Sequence, residues 1–91
     1  AELNETSMNL YSLWDFALKQ LWDALGKVKT ESEMEQLTVR QREWIKEKEE
    51  AVRAAGAEYE GGTMKPLAAN TEAAELTQKR VYELMEELKS R

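Results

Sequence analysis

The sequence predicts an all-α fold, with three long antiparallel helices in an up-down-up bundle over about residues 5–29, 31–55 and 64–90. Three observations carry this expectation. Gly26, Gly56, Gly61, Gly62 and Pro66 are the only glycines and proline in 91 residues, so the chain has few natural breaks. The three stretches they delimit space their apolar residues by threes and fours, and none alternates as a half-buried strand does. Each stretch has roughly 25 residues, or about 37 Å of helix at 1.5 Å per residue, so the rods match in length.

In the first helix, Met8, Tyr11, Trp14, Leu18, Leu21, Leu25 and Val28 fall on one face, and Leu10, Leu13, Ala17 and Trp22 widen it. Residues before about Asn4 are expected to fray. Val28 follows Gly26 in register, so the helix is read through the glycine, at a cost of about 1 kcal/mol relative to alanine. The second helix opens on Thr30-Glu31-Ser32-Glu33, a capping box in which the threonine hydroxyl takes the Glu33 amide and the glutamate reaches back. Its inward face reads Met34, Leu37, Gln41, Trp44 or Ile45, Lys48, Val52 and Ala55, with Gly56 just beyond in a left-handed C′ position. Glu49 with Arg53, and Lys46 with Glu50, are spaced as i,i+4 ion pairs on solvated faces.

Residues 57–63 form the one extended loop. Thr63 can cap the third helix, with Pro66 in its first turn where the missing amide proton does no harm. A start at Asn70 is the alternative; a single long helix accounts better for the register of Leu67, Thr71, Ala74, Thr77, Val81, Leu84 or Met85, and Leu88.

Composition narrows the function. Residues 1–91 make one domain, with 18 acidic and 13 basic residues, net charge −5, and no histidine or cysteine. That removes Ser-His-Asp and Cys-His catalysis, and zinc sites built on Cys or His. No enzyme activity and no cofactor are expected. The acidic balance argues against nucleic-acid binding. No apolar run approaches the ~18 residues of a membrane span. The segment has no secretory signal pattern, as a mature chain also would not, so compartment stays open at this point. No calcium-loop pattern is present, and the Gly61-Gly62 pair is neither preceded by a strand nor followed by Lys-Ser/Thr as in a phosphate loop.

Two groups of residues remain as candidates. Gln41 and Lys48 fall in register with Leu37, Trp44 and Val52, while Arg80 sits beside Thr77 and Val81. Polar groups on a buried face need partners, which predicts an interhelical network with Glu49 or Asp15 pairing Arg80 and Gln41 bonded nearby. The alternative is that these side chains lie at the edge of the stripe and reach to water. The tryptophans Trp14, Trp22 and Trp44 read first as core, and second as partly exposed anchors for a partner. In the loop, Tyr59, Glu60, Gly61 and Gly62 offer an aromatic anchor and a carboxylate to a basic partner; the glycine pair is equally well explained by the turn into the third helix.

The second and third helices carry a resemblance. Leu37-Thr-Val-Arg-Gln41-Arg42-Glu-Trp44-Ile45-Lys-Glu-Lys48-Glu49 resembles the "L-x-x-A-Q-R-x-W-I-x-x-R-D" core of the LprI-like lysozyme-inhibitor family. Tyr59-Glu60-Gly61-Gly62-Thr63-Met64, Pro66-Leu67 and Leu76-Thr77-x-x-Arg80 are similar to its "Y-E-G-G-[ST]-M … P … L-T-x-x-R" segment. Asp15, Leu18, Trp22 and Leu25 are similar to its opening, so the resemblance spans about residues 12–88. It implies a small helical, extracytoplasmic bacterial domain (secreted, periplasmic or at the cell surface), with a lipid anchor upstream left open. Its implied partner is lysozyme or another basic protein. The chain departs from the pattern in Lys48-Glu49 for Arg-Asp, in Arg40 and Lys19, and in Val52 and Glu72 near where many members place cysteines. Two readings follow: a non-catalytic binding domain that inhibits lysozyme or docks a basic envelope partner, and a structural module of the cell envelope that self-associates.

Overall fold

The computed structural model describes residues 2–57 and 64–90, with side chains over residues 8–57 and 67–90. It contains three helices, α1 (Glu2–Val28), α2 (Glu31–Ala57) and α3 (Met64–Lys89), of 27, 27 and 26 residues. The all-α bundle expected from the sequence is the architecture found. α1 begins three residues before its expected start. α3 runs through Pro66 and Asn70 without a break, as the single-helix reading required.

The α1–α2 turn is short, with Lys29 and Thr30 between the two helices. The Lys29 amide donates to the Leu25 carbonyl at 2.8 Å, which completes the last turn of α1. One residue later the capping box closes: the Thr30 amide donates to Glu33 Oε1 at 2.8 Å, and the Glu33 amide donates to Thr30 Oγ1 at 3.1 Å. These reciprocal bonds occupy amides that the first turn of a helix leaves without intrahelical partners. Donation from the Thr30 amide, and after it from the Thr30 hydroxyl, holds the Glu33 carboxyl below its ordinary value of 4.5.

The core is small and centres on α3. Leu18 and Leu25 of α1, Leu37 of α2, and Val81 and Leu84 of α3 form its apolar centre. Thr77 and the small residues Ala73 and Ala74 are also buried on α3. Trp14, Ala17, Leu21, Trp22, Met34, Trp44 and Leu88 pack around this centre and remain partly exposed. The tryptophans are therefore a collar around the core. α1 packs chiefly on α3, α2 packs on α3 less extensively, and α1 and α2 scarcely meet beyond their turn. The dimensions agree, at 46 × 22 × 15 Å. Three axes at the corners of a triangle about 9 Å apart would give a nearly equal cross-section; here it is flattened, with α1 and α2 on either side of α3.

That arrangement corrects several expectations. With no helix against its far side, α1 buries a narrower arc than the sequence stripe, so Met8, Leu10, Leu13 and Val28 are exposed. Leu13 is 67% exposed, and Phe16 beside it 62%. Trp44 turns inward and Ile45 outward; Leu84 turns inward and Met85 outward. Thr71 is exposed. Gly56 does not end α2 as a left-handed cap: it is a buried residue within the helix, which continues to Ala57. The i,i+4 pairs Glu49/Arg53 and Lys46/Glu50 are not among the ion pairs formed by the described residues. Thr63, the expected cap of α3, lies outside the described residues.

Two stability predictions arise here. A Cβ at Gly26 meets nothing within 4 Å, so Gly26→Ala gains helix propensity without a clash. It is expected to stabilise the fold by about 0.5–1 kcal/mol in denaturant titration. Glu33, with its lowered pKa, favours the fold above the usual carboxylate range and loses that contribution as pH falls through its folded value. The Tm difference between the parent and Glu33→Gln is therefore expected to favour the parent at neutral pH and to close as pH drops below 4.5.

Candidate functional site

Because α1 and α2 diverge from their turn, a groove runs between them with α3 as its floor. Leu18, Lys19, Trp22 and Asp23 of α1 face Gln41 of α2 across a depression of about 230 Å³. Further along, Tyr11, Lys48, Glu49, Val52 and Asn70 border a second depression of about 410 Å³. Polar side chains tie the helices together between and beside these spaces.

Arg80 and Gln41, expected near one another, are joined. Arg80 Nε donates to Gln41 Oε1 at 2.8 Å, linking α3 to α2. The Arg80 side chain is 12% exposed, and its carboxylate partner is Glu83 on its own helix, with Nη1 to Oε1 at 3.0 Å. This replaces the expected pairing with Asp15 or Glu49. Asp15 Oδ2 instead pairs with Lys19 one turn along α1 at 3.2 Å. Glu49 is eight residues from Gln41 on α2, about 12 Å along the axis, and so lies well away from the level of Arg80. Two buried polar atoms have no hydrogen-bond partner among the described residues: Arg80 Nη2, and Thr77 Oγ1 one turn earlier on α3. Unpartnered buried donors weaken a fold, so Thr77 and Arg80 form the least satisfied part of the interior.

Lys48 crosses from α2 to α1. Its ammonium donates to the Tyr11 hydroxyl at 3.0 Å and lies 5.1 Å from the centre of the Trp44 ring. The Tyr11 ring centre is 5.3 Å away. The phenolic oxygen stands off that centre, so the ammonium sits at the hydroxyl edge, and Trp44 is its cation–π partner. Sequence reasoning placed Lys48 in the polar set but missed Tyr11, which it read only as core. It also missed Arg40, whose Nη1 reaches Glu87 Oε1 of α3 at 3.4 Å, and Tyr82, which meets Trp14 edge to face at 5.9 Å. The Arg80–Glu83 spacing of three was legible; the cross-helix partners depended on packing.

Tyr59, Glu60, Gly61 and Gly62, proposed from sequence as partner contacts, lie outside the described residues. Among the described residues, no three carboxylates converge as metal ligands, and no helix is long and apolar enough to cross a membrane. Three of the described side-chain contacts join different helices, Arg80–Gln41, Arg40–Glu87 and Lys48–Tyr11, and the ion pairs of Asp15, Glu83 and Glu86 lie within a helix.

The Arg80–Gln41 bond can be isolated energetically. A double-mutant cycle with Gln41→Leu and Arg80→Met, followed by urea unfolding, is expected to give a coupling of about 1 kcal/mol. The cycle is needed because replacing a buried charge outright can be neutral; a coupling near zero would show that the bond contributes nothing.

No curated protein and no solved structure matches the sequence. The profile of the lysozyme inhibitor LprI family matches residues 1–84, nearly the whole chain, including α1, α2 and most of α3. That match takes in the Gln41-Arg42-x-Trp44 run and the Thr77-x-x-Arg80 run whose side chains meet across α2 and α3. The chain belongs to the lysozyme inhibitor LprI family.

Proposed function

We propose that the chain is a non-catalytic, extracytoplasmic binding domain that inhibits lysozyme. The family match over residues 1–84 carries this reading. The chemistry of the chain supports it in two ways. A net charge of −5 suits attraction to a basic enzyme. The absence of histidine and cysteine from the sequence suits an inhibitor that works by occupying a surface.

The proposed contact is the segment Tyr59-Glu60-Gly61-Gly62, between the end of α2 at Ala57 and the start of α3 at Met64. Tyrosine supplies area and a hydroxyl at low conformational cost, and the glutamate complements arginines on the partner. The glycines let the backbone approach closely. Gln41, Lys48 and Arg80 are proposed as structural residues that hold the helices in register.

A titration tests this. The purified protein is expected to inhibit lysozyme at micromolar concentration, more strongly at low salt than at moderate salt, as surface charge attraction requires. Tyr59→Ala with Glu60→Lys is expected to weaken inhibition at least tenfold while leaving the helical circular dichroism unchanged. No inhibition at micromolar concentration under either salt condition overturns the reading.

A further inference from the structure

The outward face of α1 is unlike the rest of the surface. Charged residues make up 34% of the chain, yet Asp15 is the only one between residues 8 and 18. Asp15 is already paired with Lys19. On this uncharged stretch Leu13 is 67% exposed, Phe16 62%, Met8 56% and Leu10 47%. A helix apolar on both sides is ordinarily covered on both. One side of α1 is covered by α3.

The spacing on the open side indicates the occupant. Asn9, Leu13, Phe16 and Gln20 are all exposed and follow steps of four, three and four, the seam by which one helix packs on another. The order is palindromic in chemistry: amide, apolar, apolar, amide. In an antiparallel pair of identical helices related by a two-fold axis between Leu13 and Phe16, each Leu13 meets the other copy's Phe16. Each Asn9 then meets the other copy's Gln20, amide against amide. A two-fold contact requires a patch that complements itself, and this one does.

Area and charge agree. Leu13 and Phe16, the two exposed apolar side chains on this seam, present on the order of 250 Å² per copy, about a third of what one partner contributes to a standard interface. The flanking exposed parts of α1 extend that area, so the association belongs to the weaker, concentration-dependent class. Two chains of charge −5 repel one another over most of their surface. They can approach closely where charge is absent.

We infer that this protein forms a two-fold homodimer through the outward face of α1, with Asn9, Leu13, Phe16 and Gln20 of two antiparallel helices in contact. The proposal does not depend on the lysozyme reading. Sedimentation equilibrium of the full chain is expected to show a mass rising from 10.5 kDa toward twice that value between about 1 and 200 µM. Leu13→Glu with Phe16→Glu is expected to remain at 10.5 kDa throughout, with unchanged helical circular dichroism, since both side chains lie outside the core. A parent that stays monomeric across the range overturns the proposal, as does a dimer that survives both substitutions. A monomeric parent whose lysozyme inhibition is lost with those substitutions would assign the face to lysozyme instead. Because the chain has no cysteine, the pairing can be read directly. Mixed Asn9→Cys and Gln20→Cys proteins are expected to form the 9–20 disulfide on mild oxidation; preferential 9–9 and 20–20 bonds would overturn the antiparallel arrangement.

Discussion

The structure depends on the packing of two helices against one face of a third. α3 presents Ala73, Ala74, Thr77, Val81 and Leu84 as a continuous buried surface. Its first part is small, which lets a neighbouring helix come close; its later part is bulky and fills the space near the α1–α2 turn. Leu25, Leu37 and Leu84, all but inaccessible to solvent, are the largest apolar side chains in that state. Leu25 and Leu37 stand five residues before and seven after the cap at Thr30, so the best-buried part of the core lies close to the α1–α2 turn. The turn and the core thus reinforce each other, and the helices are free to separate further along.

This unequal packing explains why polar ties matter to α2. Leu37 and Gly56 are its only buried residues. Beyond Leu37, α2 is held by Arg80 to Gln41, by Arg40 to Glu87 and by Lys48 to Tyr11. Two of these reach α3 and the third reaches across the groove to α1. Val52 here lines an open depression beside Ala69 and Ala73, so this part of the bundle relies on side-chain contacts that are individually modest.

Local features of the fold were legible in the sequence because their causes are local. The capping box needs only Thr30 and Glu33 at the right spacing, and it forms with both of its bonds. The helical spans needed only the scarcity of breakers and the apolar period. Gly56 was misread because a glycine near the expected end of a helix has the chemistry of a cap; its burial within α2 reflects packing. The width of the buried arc on α1 was illegible for a related reason. Periodicity locates the centre of an apolar face, but neighbouring helices decide how much of it is covered. Leu10 and Leu13 lie at the margin of that face, and neither α2 nor α3 covers them. Arg80 was recognisable as a residue in need of partners. Which carboxylate it would meet depended on the level at which α2 and α3 align, and Glu83 was nearer than any alternative on another helix.

The distribution of charge separates two kinds of surface on one small protein. Residues 31–57 carry seven acids and five bases, while residues 6–14 carry no charge at all. The proposed attraction to a basic protein acts over distance and is weakened by salt, so it would draw on the charged helices α2 and α3. Contact through Leu13 and Phe16 is short-ranged and depends on removing apolar surface from water, so salt screening affects it little. Leu13 and Phe16 point away from the core that α1 shares with α2 and α3. Pairing through α1 would then present two copies of the charged surface to a basic partner. That doubles the local density of binding sites without new contacts in either interface.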